Sequence, residues 1–396
     1  MLVFYFFAVF QIFLGYKSLR GGIDFLSYFK RELRREKAKF GPFASVIIPC
    51  RGIDKGLKEN LRPLFNQEYD RYEIIFVVDN KRDPALPVIE ELAGEHGDAK
   101  IVVAGKATDS GQKVHNLRSA VLEIDEESRV LVFMDSDARP DDKWLANLVE
   151  PLENPEIGCT TGYRWFIQKN GGFSTHLRSV WNASIASQLG ENSGSNFCWG
   201  GSMAIRRETF ENLDIRAKWK NTLSDDFALT KALSDARMPV YFVPQCLTAS
   251  VEDCNFRELL EFTTRQMKIT RVYSPLLWAI SLISAVVFNL IFWGGIAIMF
   301  FASGLHFWII LVLVVLIFAL GFGKAQLRLA AVKLVLRDYE KEIAGQTFPQ
   351  VILWTLTPFL FLYNNISAVI SRKIVWRGIE YELKSAKETA IIRRIS

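Results

Sequence analysis

Apolar positions along this chain fall into two patterns, long unbroken runs toward both ends and short runs in the middle. Residues 1 to 16 are almost wholly apolar, and six Lys or Arg follow between Lys30 and Lys39. Between Arg271 and Lys324 there is no Asp, Glu, Lys or Arg, which leaves room for two membrane spans of roughly 20 residues each. A third run, Phe348 to Ser371, is interrupted by Pro358 and by Asn364-Asn365. The middle differs. Ser45–Pro49, Ile74–Val78, Lys100–Val103 and Val130–Met134 are short β-rich runs of the kind that a parallel sheet buries on both faces. Helical periodicity falls between them, at Leu57–Asn66, Pro87–Glu95 and Lys113–Leu122. Strand–helix alternation predicts an α/β, doubly wound, mostly parallel sheet, with ligands at the C-terminal ends of its strands.

Charge orients these pieces. A secretory signal carries its cations before the apolar run, and here they come after it, which predicts a signal-anchor helix over residues 1–20 with Lys30 to Lys39 in the cytoplasm. The connector Ala302-Ser303-Gly304 has no cation, as an outside loop requires, so residues 42–254 and Lys324 share the cytoplasmic side. Residues 255–274 predict an amphipathic interfacial helix, and residues 275–371 two spans followed by a broken or re-entrant segment. Residues 372–396, with seven basic and three acidic side chains, predict a cytoplasmic basic tail. The expected setting is a bacterial inner membrane or its equivalent.

Composition narrows the function classes. Five cysteines have no CxxC spacing and four histidines no ligand spacing, which argues against a zinc or disulfide framework. The net charge of +5 is modest, and no nucleic-acid partner is expected. A transporter is disfavoured because the apolar spans lack ionisable residues, apart from His306 near a loop.

The candidate chemistry sits at strand ends. The second strand runs into Asp79 and the fourth into Asp135-Ser136-Asp137. Two aspartates one residue apart can share Mg²⁺ or Mn²⁺ and leave positions for diphosphate oxygens. Asp79 could accept hydrogen bonds from a base or ribose, or could simply be a turn residue with Asn80. Lys113, at a helix start, could meet a phosphate or be solvated. Gly200-Gly201 before Ser202-Met203-Ala204-Ile205 lets backbone come close to a ligand, or forms a bulge before a buried strand. Ser224-Asp225-Asp226 precedes a helix; capping explains one of these residues, and a carboxylate beside a donor could act as general base. Phe256 to Arg271 carries Arg265, Lys268 and Arg271, which could meet lipid headgroups or a diphosphate.

In this order, the pieces resemble the family-2 type inverting glycosyltransferases, in particular the ceramide glucosyltransferase-like branch. The matching residues are Val46-Ile47-Ile48-Pro49, Asp79 within Val77–Pro84, Lys113 with Asn116-Leu117, Asp135-Ser136-Asp137, Trp199–Arg207 and Ser224-Asp225-Asp226. The match continues through Arg265–Thr270 to Ile374–Gly378 and Tyr381. The resemblance implies a GT-A-type nucleotide-sugar-binding domain, a UDP-sugar donor and a divalent cation. It implies that Asp79 contacts uridine, that Asp135 and Asp137 hold the metal-diphosphate, and that Asp226 is the catalytic base. Lys113, Gly200, Gly201, Asp225, Arg265 and Lys268 complete the implied donor site. Lys268 and Ile269 replace the Arg and Trp of the (Q/R)xxRW motif, which turns the expectation from a processive polymerase to a single transfer onto a lipid hydroxyl. No histidine occurs over Asn192–Asn196, where animal ceramide glucosyltransferases carry one, so ceramide and a diacylglycerol-like lipid both stay open. The competing expectations are a polysaccharide or polyprenyl-phosphate glycosyltransferase and a non-catalytic sugar- or lipid-binding relative.

Overall fold

The short apolar runs become strands of one mixed sheet in the computed structural model, which describes residues 1–97 and 99–395. In chain order the elements are helix α1 (Leu2–Glu32), strands β1 (Ala44–Pro49) and β2 (Tyr72–Val78), helix α2 (Leu86–His96), strand β3 (Lys100–Val103), helix α3 (Gln112–Ala120) and strand β4 (Val130–Met134). Then come strand β5 (Cys159–Ile167), helix α4 (Phe173–Ala186), strand β6 (Ser202–Arg206), helix α5 (Asp225–Asp235) and strand β7 (Val240–Val251). Helix α6 (Phe256–Tyr273) precedes α7 (Pro275–Met299) and α8 (Gly304–Val335). Helices α9 (Thr347–Ile352) and α10 (Thr357–Ile370) lead to strands β8 (Lys373–Trp376), β9 (Ile379–Ser385) and β10 (Glu388–Arg394).

The chain divides into two compact units. One comprises Arg31–Ile167, Gln188–Glu252 and Arg372–Ser396. Its seven-stranded sheet has the order β3-β2-β1-β4-β6-β5-β7. The pairs β3–β2, β2–β1, β1–β4 and β5–β7 are parallel, whereas β6 runs antiparallel to both β4 and β5. Ile47, Ile75, Val77, Leu131 and Phe133 are fully or almost fully buried in the core, which explains why their strands read as continuous apolar runs. The α/β class and the mostly parallel sheet agree with the sequence reading. Strands β5 and β7 escaped it because Thr160-Thr161-Gly162 and Arg164 break up β5, and Pro244 and Gln245 break up β7.

The stretch expected to be a basic tail is instead a three-stranded antiparallel sheet of order β10-β9-β8 in this same unit. Its folding follows from a period of two: Ile379, Tyr381 and Leu383 are buried while the residues between them face outward. Arg377 and Gly378, both at positive φ (46° and 71°), make the two-residue turn between β8 and β9.

The other unit comprises Met1–Lys30, Gln168–Ser187 and Asp253–Ser371. The catalytic segment expected over 42–254 is therefore not continuous, because residues 168–187 pack with the helices. Among the described residues three helices, α1, α7 and α8, are long and apolar enough to cross a membrane. Helix α1 runs to Glu32, well past the expected boundary at residue 20. Two of its glycines are interface positions: a Cβ on Gly15 would come within 3.0 Å of Leu320, and one on Gly22 within 3.4 Å of Leu327 and Lys324. Residues Thr347–Thr355 and Thr357–Ile370 are bent by 55°, with Pro358 in the first turn after the break. Helix α6 opens with a capping box, Asn255 Oδ1 accepting from Glu258 N and Glu258 Oε2 from Asn255 N, each at 2.9 Å. Part of its apolar stripe is covered by protein, since Leu259 packs with Leu177, Trp181 and Leu360.

Candidate active site

Elements of the sheet-bearing unit end in charge. Asp79 follows β2, Asp135 and Asp137 follow β4, and Asp225 and Asp226 open α5. Strand β1 lies between β2 and β4, so the loop after it, with Arg51 and Asp54, runs between the two acidic strand ends. This is where a doubly wound sheet binds ligands.

The carboxylates are matched by cations from other elements. Lys113, on the first turn of α3, stands 2.7 Å from Asp135 Oδ1 and 3.2 Å from Asp225 Oδ2. Asp225 Oδ2 has opposite charge nearby but no hydrogen bond in line. Arg164, buried in β5, donates to Asp137 Oδ2 at 3.0 Å and to Asp135 Oδ2 at 3.2 Å. Its guanidinium lies over the Trp199 ring, 4.8 Å from the centroid. Arg51 pairs with Asp79, whose Oδ1 also accepts from Asn80 Nδ2 at 2.7 Å. Arg377 donates to Asp54 Oδ1 at 2.7 Å and to the Arg51 carbonyl at 2.8 Å, and Ser136 donates to Asp54 Oδ2 at 2.6 Å. A chain of bonds thus runs from Asp79 to the middle residue of Asp135-Ser136-Asp137.

Burial and charge set the protonation states. Burial opposes the Lys113 charge, yet Asp135, Asp225 and Asp226 outweigh it and hold its pKa above the ordinary lysine value. Burial pushes Asp225 up to about 6; Lys113 limits the rise and Asp226 adds to it. Asp137 goes the other way, because Arg164 and Arg377 overcome its burial and keep it below the usual carboxylate range. Asp226 differs from its neighbour in access. It is half-buried, its Oδ1 accepts from Phe227 N at 2.7 Å, and the Ser224 hydroxyl donates to the same oxygen. Asp225 is only 2% exposed.

The paired glycines are required by space. A Cβ on Gly200 would fall 2.3 Å from Asp225 Oδ2 and 2.7 Å from Lys113 Nζ, and one on Gly201 would fall 2.1 Å from the Trp199 ring. Their close approach is to the charged pair and the indole. The Gly201 carbonyl also accepts from Asp135 N at 3.4 Å, tying this loop to the acidic strand end.

Asp135 and Asp137 fit a divalent cation. Their carboxylates already converge on one cationic group, and their side chains remain 21% and 29% exposed, which leaves room for diphosphate and water oxygens. Among the described residues no cluster of three or more His, Cys, Asp or Glu completes a cage from protein alone.

The structure brings Asp79, Lys113, Asp135, Asp137, Gly200, Gly201, Asp225 and Asp226 into one unit. Arg265 and Lys268 belong to the other, on α6, where Arg265 lies over the Phe262 ring at 5.6 Å and burial lowers the Lys268 pKa. Sequence reading missed Arg51, Asp54 and Arg164, and assigned Arg377 no role. Arg164 left a signal, a lone cation inside an apolar stretch. Arg377 left another, a bulky residue before glycine at a two-residue turn where Asn is the usual choice. Tyr381 also acts on the site: its hydroxyl accepts from Gln112 N at 3.1 Å and so holds the start of the helix that carries Lys113.

Comparison with known proteins extends this picture over nearly the whole chain. The family described as glycosyl transferase family 21 matches residues 5–389. Ceramide glucosyltransferase 1 of Caenorhabditis elegans is 22% identical over 360 residues, covering 86% of this chain and 72% of that protein. The probable glycosyltransferase YdaM of Bacillus subtilis is 26% identical over 243 residues, 58% of this chain and 56% of that one. Among solved structures, the mannosyltransferase PcManGT of Pyrobaculum calidifontis, determined with GDP-Man and Mn²⁺, aligns with 92% of this chain and 98% of its own. Its TM-score is 0.46 at 17% identity.

Proposed function

We propose, from the premise that the chain belongs to glycosyl transferase family 21, that it transfers a hexose, glucose foremost, from a UDP-sugar to a lipid hydroxyl in one inverting step. The acceptor is a ceramide- or diacylglycerol-like membrane lipid. The observation that carries this reading is the convergence of Asp79, Asp135, Asp137, Lys113 and the Asp225-Asp226 pair at the strand ends of one sheet. A relative named as a ceramide glucosyltransferase and three helices of membrane-spanning length support a lipid acceptor. The sheet-bearing unit is assigned to the cytoplasmic side by the cations from Lys30 to Lys39.

Asp226 takes the proton from the acceptor hydroxyl. Its half-buried position admits a hydroxyl, and the Phe227 N–H and Ser224 hydroxyl fix one oxygen, leaving the carboxylate oriented for general-base work. Asp225, shut in behind Gly200, positions Lys113. The freed electron pair attacks the anomeric carbon as the bond to UDP breaks, and no protein nucleophile is required. Lys113 meets the charge building on the departing diphosphate, and Asp79 holds the uridine. Mg²⁺ or Mn²⁺ held by Asp135 and Asp137 would supply Lewis-acid neutralisation of that charge.

Mass spectrometry of lipids from a host expressing the chain tests the proposal. The expected result is a new hexosylated lipid that disappears when Asp226→Asn replaces the wild type. A water-soluble polymer, or an unchanged lipid profile, would overturn it.

A further inference from the structure

Helix α8 carries no Asp, Glu, Lys or Arg from Gly304 to Gly323. At a rise of about 1.5 Å per residue this stretch covers roughly 30 Å, the thickness of a bilayer's hydrocarbon core. Lys324 and Arg328 follow directly, four residues apart and so on one face. A span over residues 304–323 puts them at headgroup depth.

Neither has a counter-charge. Lys324 lies against Gly22 of α1 and donates to Ser18 Oγ at 2.9 Å. Arg328, 5% exposed, donates through Nη2 to Gln350 Oε1 of α9 at 2.8 Å, while its Nε has no acceptor. Gln350 in turn donates to Ser179 Oγ of α4 at 3.3 Å. All these acceptors are neutral. Among the described residues neither cation makes an ion pair with a carboxylate. Two like charges one turn apart repel, and burying a cation without an anion is unfavourable. The helical unit is built for an anion that the chain itself does not supply.

We propose that Lys324 and Arg328 form a binding site for a phosphate group, brought by the headgroup of an anionic phospholipid. The guanidinium offers Nε and Nη donors in the fork geometry that phosphate accepts, and the ammonium adds a point charge beside it. Basic pockets between helices at the membrane surface take phospholipid headgroups in this way. The site is separate from the proposed transfer reaction, and its role is to complete the charge balance of the helical unit.

Thermal unfolding of the full chain in nanodiscs tests this. In discs of phosphatidylcholine with phosphatidylglycerol, the wild type unfolds roughly 3 °C or more above its temperature in phosphatidylcholine alone, as mass action on the folded state requires. Arg328→Met loses most of that difference, and in phosphatidylcholine alone it unfolds no lower than the wild type, because an unmatched charge has gone. Adding inorganic phosphate to phosphatidylcholine discs distinguishes the sources. A matching rise gives the site to soluble phosphate, and no rise, with the phosphatidylglycerol effect intact, gives it to the headgroup; both support an anion site. A wild type indifferent to both anions, or an Arg328→Met chain that keeps the full phosphatidylglycerol shift, overturns the proposal. Should Arg328→Met not fold, native mass spectrometry of the wild type decides: phosphatidylglycerol retained over phosphatidylcholine supports the site, and equal retention contradicts it.

Discussion

The two units treat buried charge in opposite ways. In the sheet-bearing unit the cations of the candidate site meet carboxylates from other elements: Lys113 meets Asp135 and Asp225, Arg164 meets Asp135 and Asp137, and Arg377 meets Asp54. In the helical unit Lys324 and Arg328 meet only a hydroxyl and an amide. Matched charge of mixed sign makes a site preorganised for a ligand that is itself mixed, a diphosphate with its metal. Unmatched charge of one sign makes a site that waits for an anion. Inspection of either sequence segment alone would show only scattered Lys, Arg and Asp.

Arginine removal gives the sharpest contrast between the units. Arg164→Met leaves Asp137 without its ion-pair partner and Asp135 with Lys113 alone, and is expected to cost about 3 kcal/mol of stability, read as a fall in unfolding temperature. Arg328→Met in phosphatidylcholine should show no such fall. Equal losses in the two variants would erase the distinction. A smaller effect is expected at Arg377. Asparagine suits the left-handed turn it occupies, so Arg377→Asn should keep the unfolding temperature close to wild type while losing the contact with Asp54. UDP binding by calorimetry should then weaken about tenfold, which corresponds to ~1.4 kcal/mol.

The smallest effect concerns Asp225. Its pKa in the folded chain, about 6, lies above the ordinary 3.8, so the folded state holds a proton that the unfolded state releases between those values. Its contribution to stability is therefore fully present at low pH and is lost as pH rises through about 6. The stability difference between wild type and Asp225→Asn should grow by on the order of 1 kcal/mol as pH falls from 7 to 4.5. A difference that stays flat, or moves the other way, would show that Asp225 is an ordinary ionised carboxylate.

Much of this was legible in the sequence, for identifiable reasons. Strands β1, β2 and β4 are apolar on both faces, and Asp79 and Asp135 stand directly after two of them, so pattern and chemistry pointed to the same place. Arg164 was hidden because β5 mixes Thr, Gly and Arg, and its two aspartate partners lie 27 and 29 residues away in the chain. Arg377 is more distant still, 323 residues from Asp54. No local pattern reports such pairings. The three-stranded sheet over 373–394 was mistaken for a tail because its charge count concealed the alternation of Ile379, Tyr381 and Leu383.

The central claim is that Asp226 activates a lipid hydroxyl toward a UDP-sugar. Its most direct test follows radiolabel from UDP-glucose into chloroform-soluble product, using membranes that contain equal amounts of folded wild type and Asp226→Asn. The account predicts labelled glycolipid of inverted anomeric configuration from the wild type and a rate lower by about 10³-fold in the variant, the scale of a lost general base. A variant that keeps most of the wild-type rate, or a product with retained configuration, would contradict it.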